Sequence, residues 1–221
     1  MESDGKRVWA GALGEGVFCL EGNRWRRLWP KSPPPMAGSY GQEMRAPEHV
    51  VTSLALHEGS LWIATLAGLR RCRVGEVAGG DSPVEKIDNT AVGFRPDPRA
   101  SPFSERHPVV AKACGRLWFS GGEQSAGAYR LDEAGRHWEC SLPGVHALCF
   151  AGAGDILWMG LPDGLLRYNT RTGARRLFTV GDGLLSDRWI RSVAVDERSV
   201  WVGTGPGISR LDRTRFEADG G

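Results

Sequence analysis

Five times this chain repeats one small phrase around a tryptophan. The copies are Val8-Trp9-Ala10-Gly11, Leu61-Trp62-Ile63-Ala64, Leu117-Trp118-Phe119-Ser120, Leu157-Trp158-Met159-Gly160 and Val200-Trp201-Val202-Gly203. Each reads apolar, Trp, one further residue, then Gly, Ala or Ser. The tryptophans stand 53, 56, 40 and 43 residues apart. A unit recurring at roughly 40–50 residues predicts a radial array of small sheets, each burying its apolar face only against its neighbours.

The clearest copy shows what one unit contains. Val145-His146-Ala147-Leu148-Cys149-Phe150 is a short apolar run, and Gly152-Ala153-Gly154-Asp155 reads as a turn. Ile156 to Gly160 is a second run, closed by Leu161-Pro162-Asp163-Gly164. Leu165 to Tyr168 is a third, ended by Thr170-Arg171-Thr172-Gly173, and Ala174 to Val180 is a fourth. Four short runs with glycine-rich turns and no helical period predict an antiparallel meander of strands A, B, C and D. The fold class expected is all-β: a propeller of about five four-stranded blades, strand A at the axis and D at the rim. As one domain over 1–221, the repeats fall near 1–30, 49–88, 108–142, 144–180 and 189–221, with inserted loops at 30–49 and 88–108.

The residue types suit that geometry. A Trp on strand B buries roughly 150–250 Å² and fills the wedge between blades. Two residues later the side chain returns to the same face, so Gly11, Ala64, Ser120, Gly160 and Gly203 are expected to leave room for the neighbouring Trp. On strand C a Gly, an apolar residue and any residue precede Arg71, Arg130, Arg167 and Arg210, with Cys19 in their place in the first copy. Repetition around a ring assigns these arginines a structural role.

The stretch Leu157 to Thr204, with Gly164-Leu165-Leu166-Arg167-Tyr168-Asn169, Thr172-Gly173, Asp182-Gly183-Leu184 and Val193-Ala194-Val195-Asp196, resembles the two-component regulator propeller repeat of bacterial sensor proteins. It departs from that pattern at Asn169, where the family has Asp, and at the weak turn Glu197-Arg198-Ser199. The other copies match at Trp, Gly and Arg. The resemblance implies an extracytoplasmic ligand-sensing module of a signal-transduction protein; it names no ligand and no catalytic residue.

Basic residues outnumber acidic by only two, so neither a nucleic-acid nor a membrane footprint is expected. The basic residues are overwhelmingly Arg, a sign of a GC-rich genome or of anion recognition by guanidinium forks. Cys19, Cys72 and Cys149 lie in strand-like runs, and no two of the five cysteines form a C-x-x-C pair, which predicts buried free thiols and suits a reducing compartment. No apolar run approaches the ~20 residues of a membrane helix, and the polar start Met1-Glu2-Ser3-Asp4-Gly5-Lys6 lacks a signal-peptide core. The expected location is cytoplasmic as written, or periplasmic for a piece of a larger sensor.

The ends predict incomplete blades. Asp4-Gly5-Lys6-Arg7 reads as an A–B turn with no strand A before it, and only Arg215-Phe216-Glu217 is placed to begin a final strand D. An unclosed ring leaves an exposed blade face, so the expected partners include a second copy or missing blades.

Both insertions join a strand D to the next strand A. In a meander the D–A and B–C connections emerge on one face, so that face is decorated, and the enlarged B–C loop Gly121 to Ala126 adds to it. The binding residues expected there are Tyr40, Arg45, His49, Phe94, Arg95, Arg99, Arg106, His107 and Trp189, because aromatic and Arg groups are the usual anchors of recognition. Chemical motifs are absent. Gly203-Thr204-Gly205-Pro206-Gly207 precedes a strand where a phosphate loop must open a helix, no Ser sits in a G-x-S-x-G elbow, and His146 and Cys149 point to opposite faces of their strand and cannot share a metal. The expectation is a non-enzymatic ligand- or protein-binding propeller with no cofactor. The alternative is a propeller lyase or hydrolase using His49, His107, Glu48 and Glu105 on the decorated face.

Overall fold

In the computed structural model, residues 1–12, 14–30, 47–75, 83–96, 107–121 and 125–214 are described below. Their strands assemble into five antiparallel sheets, each ordered as a simple meander. Blade 1 is β1 (Glu2–Ser3), β2 (Arg7–Ala12), β3 (Gly16–Glu21) and β4 (Arg24–Trp29). Blade 2 is β5 (Val51–His57), β6 (Ser60–Thr65), β7 (Gly68–Arg73) and β8 (Glu85–Lys86). Blade 3 is β9 (Val109–Ala113), β10 (Arg116–Ser120), β11 (Gly127–Leu131) and β12 (Trp138–Pro143). Blade 4 is β13 (Cys149–Ala153), β14 (Ile156–Leu161), β15 (Gly164–Asn169) and β16 (Arg175–Phe178). Blade 5 is β17 (Ser192–Val195), β18 (Ser199–Gly203) and β19 (Ile208–Asp212). The first strands of successive blades lie side by side, β5 against β9, β9 against β13 and β13 against β17. That is the radial arrangement of a β-propeller.

Two local expectations are corrected. Blade 1 does have a strand A, because Glu2 and Ser3 pair with Trp9 and Val8. It is two polar residues long and carries no apolar alternation to announce it. In blade 4, strand A begins at Cys149, since Gly144 and Val145 close a turn on Ala126 and Leu142 and only Leu148 starts to pair, its N–H reaching the Gly160 carbonyl. His146 therefore lies outside the strand. The candidate final strand at Arg215-Phe216-Glu217 falls outside the described residues, among which blade 5 has three strands.

The repeated phrase is explained by where it packs. Trp9, Trp62, Trp118 and Trp158 are at most 3% exposed and sit in the apolar clusters between blades 1 and 2, 2 and 3, 3 and 4, and 4 and 5. Each Trp stands directly across from a strand C residue: Cys19, Arg71, Arg130 and Arg167, with Arg210 opposite Trp201. Two of the recurring arginines lie against their Trp and are tied down beyond it. Arg71 is 5.5 Å from the Trp62 ring and bonds Glu85, and Arg210 is 5.3 Å from the Trp201 ring and bonds Ser199. In blade 1, where Cys19 replaces Arg, Arg7 supplies the cation 5.2 Å from the Trp9 ring and donates to the Val74 carbonyl of blade 2. These are structural cation–π contacts.

At Gly11 and Gly160 the small residue that closes the phrase leaves room, but not for a Trp. A β-carbon on Gly11 would stand 3.0 Å from Val51 Cβ, and one on Gly160 would stand 2.7 Å from Ile190 Cγ2. Both neighbours sit at the entry to the next blade's strand A. The strand C glycines answer a different demand. Gly164 has φ +153°, and a β-carbon there would overlap the Phe178 carbonyl at the end of strand D.

Candidate functional site

The described parts of the D–A and B–C connections meet on one face, as the meander requires. The connection after β8 crosses to the B–C loop of blade 3, where Phe94 bridges Ser125. The connection after β16 does the same over blade 5, where Ser186 and Thr204 share a hydrogen bond of 2.8 Å. Asn89 Nδ2 donates to the Ala67 carbonyl of the B–C turn in its own blade. The opposite face carries the A–B and C–D turns, joined for example by Arg171 and Asp155 at 3.1 Å.

At the junction of blades 1 and 2 this face gathers an aromatic and cationic cluster. Trp29 ends β4. The guanidinium of Arg70, on β7, lies 4.7 Å from the Trp29 ring centroid. His49, in the 3-10 turn Pro47–His49, meets Trp29 edge-on at 5.3 Å. His49 Nδ1 is buried, with no hydrogen-bond partner among the described residues. Arg70 is half-buried. Its burial pulls the guanidinium pKa below its usual value, and Glu48 opposes that shift from nearby. Arg7, Arg27, Arg71 and Arg130 pair with Asp4, Glu15, Glu85 and Glu139. Arg70 makes no such pair among the described residues.

The expected site residues divide. His49 is in this cluster. Tyr40, Arg45, Arg99 and Arg106 lie outside the described residues. Phe94 is 3% exposed and meets Phe119 edge-to-face at 6.2 Å, so it is part of the core between blades 2 and 3 rather than an exposed anchor. Asn89–Val92 forms a turn capped by Asp88 and Gly93 that tucks Val92 and Phe94 inward. Arg95, next in the chain, is exposed. His107 is half-buried just before β9, beside Pro108, whose carbonyl accepts from Thr52 Oγ1 at 2.6 Å. Trp189 is half-buried next to Ile190, which plugs the blade 4–5 interface.

Trp29 and Arg70 were not among the expected residues, yet the sequence holds a signal for Arg70. Its register on strand C, opposite the residue after the Trp, is occupied by Phe18, Tyr129, Leu166 and Ser209 in the other blades. A charge where most repeats place an apolar or aromatic side chain breaks the local rule, as functional positions do.

The class that fold and site define is a β-propeller with one loop-bearing face. No family model and no curated protein sequence matches the chain. Among solved structures it is similar to the extracellular domain of a putative hybrid two-component system of B. thetaiotaomicron, with TM-score 0.58 and 17% identity over 95% of this chain and 26% of that one. A second such domain from the same organism gives TM-score 0.50 and 14% identity, over 95% of this chain and 32% of that one. Apo AztD from Citrobacter koseri gives TM-score 0.56 and 14% identity, over 95% of this chain and 57% of that one. The chain thus spans about a third or less of the two extracellular domains. At these identities the likeness is one of fold. No helix among the described residues is long and apolar enough to cross a membrane.

Proposed function

We propose that this propeller is a non-enzymatic binding module that receives an anionic ligand, bearing carboxylate or phosphate, where Trp29, His49 and Arg70 meet on the loop face. The observation that carries the reading is the half-buried guanidinium of Arg70, 4.7 Å from the Trp29 ring centroid and in no ion pair among the described residues. A guanidinium set against an indole offers planar N–H donors to an oxyanion, and half-burial has already stripped part of its water. His49 adds a second buried nitrogen beside the same ring. The fold likeness to extracellular domains of two-component systems supports a sensory role outside the cytoplasm, with the propeller as the receiving part of a signalling protein.

The test is calorimetric titration of the chain with citrate and with inorganic phosphate, taking maltotriose as the neutral control. One anion binds and the sugar does not. Arg70→Gln weakens that binding at least tenfold, as loss of a charge-assisted hydrogen bond of about 1.5–3 kcal/mol requires. Failure of both anions to bind at millimolar concentration, or equal affinity in Arg70→Gln, overturns the reading.

A further inference from the structure

Among the described residues five blades are joined by four apolar interfaces, and the two faces left over match each other. Trp9, Trp62, Trp118 and Trp158 face the next blade, together with the first apolar residue of strand C, which is Val17, Leu69, Ala128 or Leu165; those four are 0% exposed. Blade 5 repeats the pattern with Trp201 and Ile208, yet they are 39% and 76% exposed. Gly207, which opens strand C of that blade, has open space around its Cα where Gly164 abuts a strand D carbonyl.

The first blade carries the other half. In blades 2 to 5 the residue before the Trp turns toward the preceding blade, and Leu61, Leu117, Leu157 and Val200 are 0% exposed. The same register in blade 1 is Val8, which is only half-buried, as is Leu20 across from it. Trp25, the next residue across that face, is 52% exposed. No apolar cluster among the described residues joins blade 5 to blade 1.

We infer that the chain associates head to tail with a second copy of itself, the Trp201–Ile208 face of one copy packing on the Val8–Leu20–Trp25 face of the other. The occupant follows from complementarity. Every internal interface sets a Trp face against the opposite face of the following blade, and the described residues leave one exposed example of each. A heterologous contact of this kind closes into a ring where the rotation permits and otherwise continues from copy to copy. Size sets its strength. Three or four strands spaced ~4.8 Å apart, with five or six residues of ~3.3 Å, give a face of roughly 20 Å by 20 Å. One such contact is about half the ~800 Å² per partner of a standard interface, and a closed pair makes two. An association through so small a contact is expected to depend on concentration.

Sedimentation over about 1–200 μM tests this, with Ile208→Asp and Trp25→Glu as probes. Both side chains are exposed, so both variants are expected to keep the melting temperature of the parent. The parent shows masses above the 24.0 kDa of one chain, rising with concentration. Each variant alone stays at the single-chain mass. An equimolar mixture recovers a dimer and nothing larger, because Ile208→Asp keeps its blade 1 face and Trp25→Glu keeps its blade 5 face. A parent that stays at single-chain mass throughout, association untouched by either substitution, or a mixture that fails to recover overturns the inference. None of these outcomes depends on ligand binding at Arg70.

Discussion

Gly160 lies against Ile190, so that a β-carbon on residue 160 would come 2.7 Å from Ile190 Cγ2 and 2.5 Å from Cys149 Sγ. Ile190 is fully buried between blades 4 and 5 and cannot retreat. Gly160→Ala therefore overpacks that interface and is expected to cost ~1–3 kcal/mol in urea denaturation. Gly203 occupies the same position in blade 5, where the nearest atom to a new β-carbon is the Ser192 hydroxyl. A hydroxyl rotor turns aside, so Gly203→Ala is expected to cost under half as much. Equal costs at both sites would mean that blade 5 is covered as tightly as blade 4.

The tryptophans should rank by the blade they face. Trp158 is fully buried and stacks on Phe178 at 5.9 Å between centroids. Its replacement by Ala opens a cavity and is expected to cost ~3–5 kcal/mol. Trp201 is 39% exposed, though its Nε1 donates to Asp196 at 2.8 Å. Trp201→Ala is expected to lower stability by no more than ~1–2 kcal/mol, the scale of a hydrogen bond and partial burial. Melting curves at low micromolar concentration compare the two.

Phe94 and Arg95 should separate packing from surface chemistry. Phe94→Ala removes a buried ring that touches Phe119 and is expected to cost ~3–5 kcal/mol. Arg95→Gln, at an exposed position, is expected to leave stability within about 0.5 kcal/mol of the parent. A Phe94→Ala protein that melts like the parent would return Phe94 to the surface.

What the chain discloses in advance is what repetition and parity can disclose. Trp and Gly recur because every blade solves the same wedge, and D–A loops share a face with B–C turns because antiparallel strands alternate. The four strands of blade 4 could be placed within a few residues for that reason. The two-residue strand Glu2–Ser3 could not, since two polar residues carry no alternation to announce their pairing with Trp9 and Val8. Phe94 stands among Arg and Pro residues and reads as loop, and the Asn89–Val92 turn and the bridge to Ser125 draw it inward. Gly11 and Gly160 announce that space is needed, but Val51 and Ile190, which fill it, are far along the chain. Trp29, His49 and Arg70 come from a strand end, a turn and a mid-strand position, and their meeting is a property of the blade junction.

Thiol chemistry should report on the blade 4–5 wedge. No disulfide joins the described cysteines. Burial pushes the Cys149 thiol up to about 12 and the Cys114 thiol up to about 11. The thiolate is the reactive form, so both should resist iodoacetamide at pH 8 in the folded protein and react in urea. Mass mapping checks this; fast labelling of Cys149 in native buffer would show that the wedge opens.

Acid should weaken the fold in a window set by His57. This side chain ends β5, is 8% exposed, and has Nδ1 buried with no hydrogen-bond partner among the described residues. Burial is the main influence and lowers its pKa below the ordinary 6.5; Lys112 and Arg116 add to that, while Glu58, 3.7 Å away, opposes it. The unfolded chain therefore takes up this proton near 6.5 and the folded one at lower pH. Stability is full above 6.5 and declines as pH falls toward the folded value, because the unfolded state binds more protons across that interval. The depressed aspartates Asp4, Asp132 and Asp196, held by hydrogen bonds to backbone or Trp201, lose their contribution only below their ordinary 3.8, a separate window. Urea midpoints measured from pH 7.5 to 5 should fall in the parent and stay nearly flat in His57→Gln. The same slope in both proteins would assign the acid sensitivity to another group.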